Sequence, residues 1–386
     1  MKFRIIAFIF STCLIAVLTA SVQLPAQGQQ NISLLAHKAG LIEFDVPDSD
    51  LAPGLGTMPF ANNDLGAIVG LYTSASDVPR AFLRTPDGNF VTFDAPGAGL
   101  TPGAGDGTVA YGINDRGVIA GEYEDSTNVY HAFVRYVDGS FVTFDAPSAG
   151  TSANQGTDAL DINLGGATAG YYVDGSNVYH GFVRSREGDI TSFDPTGSVF
   201  TFVCEETCLN AAGAITGSWQ DSNGAQHGFI REPDGTITSF DPPGSAGITE
   251  SASINLEGTT TGYFLDSSSV IHGFIRTRAG DFTTVDAPGA GTGAIQGTGA
   301  LSINIFGAVT GEYIDSNNVM HGFSRSAAGA FTTFDAPGAG TAAGQGTRPS
   351  TNNLTGAITG WWVDGNGVNH GFVLTSAIRF FSAPVR

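Results

Sequence analysis

One pattern repeats along the chain after its first thirty residues, and this repetition limits the possible folds more than any other feature. The aspartate of Phe-Asp-Ala-Pro, or of a variant of it, returns every 45–51 residues, at Asp45, Asp94, Asp145, Asp194, Asp241, Asp286 and Asp335. The phenylalanine of His-Gly-Phe returns at Phe82, Phe133, Phe182, Phe229, Phe274, Phe323 and Phe372. Asn-x-x-Gly begins at Asn63, Asn114, Asn163, Asn210, Asn255, Asn304 and Asn353. Each marker gives seven copies, and a period of this size is typical of ring-shaped or stacked repeat proteins.

A single unit, residues 298–337, contains four short segments of β-type composition separated by turn residues. The predicted strands are Thr298–Asn304, Ala308–Ile314, Met320–Arg325 and Phe331–Asp335. In the third strand His321, Phe323 and Arg325 share one face, which is the two-residue alternation of a strand. The proline of Asp-Ala-Pro ends the fourth strand because it has no N–H to donate to a ladder.

These features predict an all-β fold: a seven-bladed β-propeller built from seven repeats of about 45–51 residues, with four antiparallel strands each. One blade cannot bury both of its faces alone, whereas a closed ring packs every sheet between two neighbours. Glycine supplies 54 of the 386 residues and charged residues only 13 %, against about 25 % in typical globular chains. This composition argues against a helical bundle.

The fourth strand is represented eight times instead of seven. Residues 32–45 resemble strands three and four of a unit, and Ile378–Pro384 resembles a degenerate strand four. Either the N-terminal piece closes the ring beside the last blade, or it forms a partial eighth unit. We expect the first arrangement because the other strands number seven, and we treat residues 29–386 as one domain.

The first residues are typical of a secretory signal peptide. Lys2 and Arg4 precede an apolar stretch, Ile5–Leu18, and small residues offer cleavage sites after Ala20, Ala26 or Gly28. An uncleaved anchor is the alternative, although the apolar stretch is shorter than the roughly 20 residues of a spanning helix. We predict a signal peptide over residues 1–28, a secreted protein that is extracellular or periplasmic, and no membrane span after cleavage.

Cys204 and Cys208 are the cysteines that remain after the leader. Export to an oxidising compartment favours a disulfide between them. Because a disulfide needs Cα atoms within about 7 Å, the three residues between the cysteines would have to form a turn or a bulge. No histidine or third cysteine lies close by in sequence, so a zinc site is not predicted.

The formal net charge of −20 excludes nucleic acid as a partner class, since phosphate binding needs clustered lysine and arginine. Anionic membrane surfaces are disfavoured for the same reason. The remaining ligand classes are glycans and proteins, and we expect the protein to be a monomer.

Several short sequence motifs resemble those of the HAF family of probable extracellular repeats. They are His131-Ala132-Phe133, His180-Gly181-Phe182, Asp87 to Phe90 and Ile113 to Gly117. The resemblance covers nearly the whole chain after the leader and implies export and a repeat β fold. It implies no activity and no catalytic residues, and most copies in this chain read His-Gly-Phe.

Residues present in every unit are predicted to be architectural, because one active site needs only one copy of each group. The repeated histidines are His131, His180, His227, His272, His321 and His370, with Arg80 in the first unit. They would lie on separate blades, too far apart to bind one metal, and we expect hydrogen bonds to the aspartates of Asp-Ala-Pro. The aspartates Asp125, Asp174, Asp221, Asp266, Asp315 and Asp364 lack the spacing of calcium loops and fit hairpin turns. Neither a metal nor a cofactor is predicted.

Positions that vary between units are better candidates for a site. Five residues before each repeated asparagine stand Met58, Val109, Asp158, Glu205, Glu250, Gly299 and Arg348. If the first strand is innermost, these side chains surround one mouth of an axial channel. We predict ligand binding by Asp158, Glu205, Glu250 and Arg348, together with Trp361 from a second variable position. The alternative is that these are solvated loop charges.

Three functional classes fit these features. The favoured one is a secreted, non-enzymatic propeller that acts as a binding or structural module for an extracellular or envelope ligand. The second is a polysaccharide hydrolase or lyase that uses Asp158, Glu205 or Glu250, since glycoside hydrolysis needs two carboxyl groups roughly 5–10 Å apart. The third is an adhesive or matrix protein. No Gly-x-Ser-x-Gly nucleophile motif is present, so no catalytic residue is assigned.

Overall fold

The computed structural model describes residues 40–203 and 206–375, and every regular element within these residues is a β-strand. The first strands in chain order are β1 (Leu41–Phe44), β2 (Thr57–Asn62), β3 (Ile68–Thr73), β4 (Pro79–Arg84), β5 (Phe90–Phe93), β6 (Gly107–Ile113), β7 (Ile119–Glu124), β8 (Tyr130–Arg135), β9 (Phe141–Phe144), β10 (Gly156–Ile162), β11 (Thr168–Val173), β12 (Tyr179–Arg184), β13 (Ile190–Phe193) and β14 (Phe200–Val203). The others are β15 (Ile215–Gln220), β16 (Gln226–Arg231), β17 (Ile237–Phe240), β18 (Thr249–Ile254), β19 (Thr260–Leu265), β20 (Ile271–Arg276), β21 (Phe282–Val285), β22 (Gly297–Ile303), β23 (Val309–Ile314), β24 (Met320–Arg325), β25 (Phe331–Phe334), β26 (Gly346–Asn352), β27 (Ile358–Val363) and β28 (Asn369–Leu374). No helix that could cross a membrane is found in the described residues.

Antiparallel ladders join these strands in consecutive groups of four, which we call units and number along the chain. Unit 1 is β2–β5, and the same pairing gives β6–β9, β10–β13, β14–β17, β18–β21 and β22–β25. The last unit, unit 7, combines β26–β28 with β1, whose Leu41 pairs with Leu374 of β28. The strands predicted for residues 298–337 are confirmed to within one residue at each end.

Neighbouring units touch through the start of each first strand. Gly156 of unit 3 forms a parallel bridge to Tyr130 of unit 2. Gly56 of unit 1 forms the same bridge to Asn369 of unit 7, so the last unit contacts the first in the same way as unit 3 contacts unit 2. Residues 32–39 and Ile378–Pro384, which were predicted to resemble strands of a unit, lie outside the described residues.

The repeated asparagines form a closed cycle of hydrogen bonds. Each side-chain amide donates to the main-chain oxygen of the asparagine in the next unit, over 2.9–3.2 Å, in the order Asn63, Asn114, Asn163, Asn210, Asn255, Asn304, Asn353 and back to Asn63. Each asparagine follows the first strand of its unit, or, in unit 4, the short segment after it. The cycle therefore encircles an axis, and the first strands lie nearest to it.

The core is divided among the interfaces between units. The phenylalanine of His-Gly-Phe is fully buried in every unit, and it packs over a second-strand glycine. A Cβ atom on Gly121 would lie 2.1 Å from the Val109 oxygen and 2.7 Å from the Phe133 ring, so only glycine fits there. Stacked cations add to the interfaces: the Arg84 guanidinium lies 4.8 Å from the ring of Phe44, which joins unit 1 to unit 7.

Candidate functional site

The repeated histidines make the hydrogen bonds that were predicted for them. His131 Nδ1 lies 3.0 Å from Asp145 Oδ1, and the equivalent pair joins His370 to Asp45. In unit 1 Arg80 forms an ion pair with Asp94 in the same place. Each imidazole also stacks on a second-strand aromatic ring, for example Tyr123 on His131 at 4.9 Å. These histidines are structural in every unit that has one.

The aspartates of the second hairpin likewise bond their own turns. Asp125 Oδ1 accepts the N–H groups of Thr127 and Val129 at 2.8 and 3.1 Å. Within the described residues, no three side chains of histidine, cysteine, aspartate or glutamate converge as metal ligands.

The variable position near the axis is defined by ladder register. Asp158 lies opposite Tyr171, Glu250 opposite Tyr263, and Arg348 opposite Trp361. In unit 4 the equivalent residue is Phe202, opposite Ser218. Counting back five residues from Asn210 therefore does not give this position in unit 4, because Phe202 precedes Asn210 by eight residues. Glu205 itself lies outside the described residues, so its place at the channel mouth remains a prediction.

A second set of axial side chains comes from β-bulges, which the sequence analysis did not consider. Six first strands shift register by one residue, and the extra residue is Phe60, Tyr111, Leu160, Ala252, Leu301 or Ser350. A β-bulge changes the direction of the side chain of its extra residue, so that this side chain no longer follows the two-sided alternation of the strand. Phe60 stacks on Tyr111 at 5.3 Å and meets Trp361 edge-on at 5.9 Å. These three rings come from three consecutive units and are only partly buried.

Arg348 lies between an aromatic ring and a carboxylate. Its guanidinium carbon is 5.1 Å from the centre of the Trp361 ring, and its Nε donates to Glu312 Oε2 at 3.1 Å. The Glu312 side chain is only 2 % exposed, whereas that of Arg348 is 29 % exposed. Arg348 therefore offers N–H groups to solvent while it neutralises a buried acid.

Glu250 is partly buried and hydrogen-bonded on the first strand of unit 5. Gln226 Nε2 donates to its Oε2 at 2.6 Å, and Tyr263 contacts the same carboxyl group. Burial raises the pKa of Glu250 to about 7. Glu250 can thus gain or lose a proton near neutral pH.

Asp158 is the most buried of the predicted ligand-binding residues, at 1 % exposed. Tyr171 hydrogen-bonds this carboxyl group, but among the described residues its Oδ1 atom has no hydrogen-bond partner. We use the term axial cluster for Phe60, Tyr111, Asp158, Glu250, Arg348 and Trp361. It includes four of the five residues predicted to bind a ligand, of which Arg348 and Trp361 contact each other. Variation between units at the bulge position would have identified Phe60 and Tyr111.

The segment around Cys208 lies beside a second buried acid. Asp161 Oδ2 accepts the N–H of Leu209 at 2.9 Å, and burial raises the Asp161 pKa to about 7. Cys208 is fully buried. Cys204 lies outside the described residues, so the predicted disulfide remains a prediction.

Comparison with solved structures shows the fold. Virginiamycin B lyase from Staphylococcus aureus, in selenomethionine form, is similar with a TM-score of 0.54 and 12 % identity, over 88 % of this chain and 99 % of that one. A streptogramin B lyase gives 0.51 and 12 % over 87 % and 97 %. No protein-family model and no curated protein matches the chain. At this identity the likeness establishes an all-β, propeller-like architecture and nothing about chemistry.

Proposed function

We propose that this protein is an exported, seven-bladed β-propeller that binds a glycan at its axial cluster without catalysing a reaction. Seven four-stranded units and the closed asparagine cycle support the blade number. Pairing of β1 with β28 supports closure by the N-terminal strand instead of a partial eighth unit. The signal-peptide composition of residues 1–28 supports export.

The observation that carries the proposed binding site is the contact of Phe60 with both Tyr111 and Trp361, beside Arg348. Partly exposed aromatic rings offer flat apolar faces to a sugar ring, and Arg348 and Glu250 offer a donor and an acceptor for its hydroxyl groups. A peptide would need a longer groove of unpaired backbone groups. The axial cluster instead presents side chains around a point, which suits a short oligosaccharide.

A polysaccharide hydrolase or lyase is the second candidate, and one observation favours it. With a pKa of about 7, Glu250 could act as a general acid at neutral pH. Hydrolysis also requires a second carboxyl group at a defined separation. Asp158, the other predicted acid within the described residues, lies in unit 3, two units away from Glu250 in unit 5, so the binding function is the stronger proposal.

Glycan-array binding by the purified protein, followed by calorimetry on hits, tests the proposal. Trp361→Leu and Glu250→Gln should each weaken the affinity for a bound glycan at least tenfold. Asp189→Asn should leave the affinity unchanged, because Asp189 lies at an exposed turn between the third and fourth strands of unit 3. Absence of any hit, or hits that survive both axial variants, would contradict it. Release of shortened oligosaccharides, lost in Glu250→Gln, would favour the hydrolase or lyase.

A further inference from the structure

We infer that the ligand carries a free amino group, as in an amino sugar, and that the carboxylate of Asp158 receives it. This inference rests on the proposed function and specifies the chemistry of the same site. It concerns the part of the axial cluster between units 2 and 3.

The state of Asp158 is the first reason. The side chain is 1 % exposed, and Oδ1 has no hydrogen-bond partner in the described structure. A buried carboxylate oxygen without a partner destabilises the folded protein, because it has lost its hydrogen bonds to water and has formed none with the protein. Such an atom is normally satisfied by a water molecule, an ion or a ligand.

Two other acids near the axis, Glu250 at the same register as Asp158 and Glu312 on the second strand of unit 6, show which partner such a carboxylate can have. Glu250, which occupies the same register in unit 5, accepts an N–H from Gln226 at 2.6 Å. Glu312 accepts an N–H from Arg348 at 3.1 Å. In both cases a nitrogen donor of the chain faces the acid, whereas no donor in the described part of the chain faces Asp158 Oδ1. The chemistry of these two pairs points to a nitrogen donor as its partner.

The surroundings of Asp158 favour a cationic donor. Tyr171 lies opposite Asp158 in the ladder, and Tyr111 donates its hydroxyl to Glu122 Oε1 at 3.2 Å. Burial, followed by the charges of Asp158 and Glu122, raises the Tyr171 pKa well above its ordinary value. Carboxylates and aromatic faces together stabilise an ammonium group. The net charge of −20 also draws cations towards the protein.

Another part of the axial region already holds a cation between an aromatic ring and a carboxylate. Arg348 places a cation against the Trp361 ring and the Glu312 carboxylate. Asp158 with Tyr171 and Tyr111 repeats the aromatic and acidic parts of that arrangement. A sugar ammonium group would supply the cation, while its ring contacts the partly exposed Tyr111 and Phe60. An N-acetylated sugar would supply neither charge nor the same number of N–H donors.

The experiment compares three tetrasaccharides that share one linkage: the β-1,4 oligomers of glucosamine, N-acetylglucosamine and glucose. Wild-type protein should bind the glucosamine oligomer about ten- to a hundredfold more tightly than the other two, the range of one charged hydrogen bond. Asp158→Asn should remove that preference, so that the affinity for the glucosamine oligomer falls to that for the glucose oligomer. Asp189→Asn removes the same charge at an exposed turn and should keep the preference.

The possible outcomes separate the two claims. Binding of several oligomers without preference for the amine would overturn this inference and leave the proposed function intact. Binding of none, together with an empty glycan array, would overturn both. If Asp158→Asn does not fold, a crystal structure of wild-type protein with the glucosamine oligomer decides. The nitrogen within about 3.2 Å of Asp158 Oδ1 would support the inference, and a water molecule there with the sugar elsewhere would refute it.

Discussion

The side-chain amide of Asn353 donates to the main-chain oxygen of Asn63 at 2.9 Å, across 290 residues of sequence. This bond joins the last unit to the first and has the same geometry as the bonds between consecutive units. Asn353 Oδ1 also accepts the N–H of Ala357 at 2.9 Å, so one buried side chain stabilises both its own turn and the closure.

Asn353→Ala should therefore lower the free energy of unfolding by about 2–4 kcal/mol, since it removes several buried hydrogen bonds and leaves partners unsatisfied. Asn210→Ala, between two internal units, should cost a similar amount. The exposed Asn366, which bonds only its own turn through its side chain, should cost under about 0.5 kcal/mol when changed to alanine. Urea unfolding measures all three. A full cost for Asn210→Ala with none for Asn353→Ala would show that the ring is open in solution.

The sequence predicted the strands and the role of the repeated histidines, but not this cycle. Strand alternation and turn residues are local signals, and Asp145 lies fourteen residues after His131 within one unit. The acceptor of Asn63 is in another unit, and Asn-x-x-Gly looks the same whether its amide faces water or a neighbour. The equivalent position of unit 4, Phe202, was missed for a related reason. Counting back five residues from each asparagine assumes the same spacing in every unit, whereas Phe202 lies eight residues before Asn210.

Stability should depend on the protonation of His370. Its Nδ1 lies 2.9 Å from Asp45 Oδ2, and this hydrogen bond to Asp45 raises the His370 pKa. A histidine whose pKa is higher when folded stabilises the protein fully below its unfolded pKa of about 6.5. That contribution is lost as pH rises through the folded value. The effect should be at most about 1 kcal/mol, because Asp45 is 38 % exposed.

Replacing His370 by arginine reproduces the pair of Arg80 and Asp94 in unit 1. Arginine stays charged throughout this range, so His370→Arg should flatten the difference in stability between about pH 6 and about pH 8. Thermal unfolding of wild type and variant across that range measures it. An identical slope in both proteins would show that the His370 and Asp45 pair does not titrate with folding.

Asp161 should also make the free energy of unfolding fall as pH increases, but over a lower pH range than His370. Burial raises its pKa to about 7, whereas an unfolded aspartate titrates near 3.9. Between these values the folded state binds more protons than the unfolded state, so stability falls as pH increases. Asp161→Asn should remove this fall, measured as urea midpoints from about pH 5 to about pH 8. Asp189→Asn, at an exposed turn, should follow the wild-type slope, and an unchanged slope in Asp161→Asn would contradict the prediction.

The ion pair of Arg348 and Glu312 should respond unequally to loss of either partner. Glu312 is 2 % exposed and Arg348 is 29 % exposed. Arg348→Met leaves a buried, uncompensated carboxylate and should cost about 3–5 kcal/mol. Glu312→Gln leaves a guanidinium that can still reach water and stack on Trp361, so it should cost about 1 kcal/mol. The double variant should be more stable than Arg348→Met alone, because glutamine removes the stranded charge. Urea unfolding of the four proteins closes this cycle, and equal costs for the two single changes would mean that Glu312 is solvated and that this side of the axis is open to water.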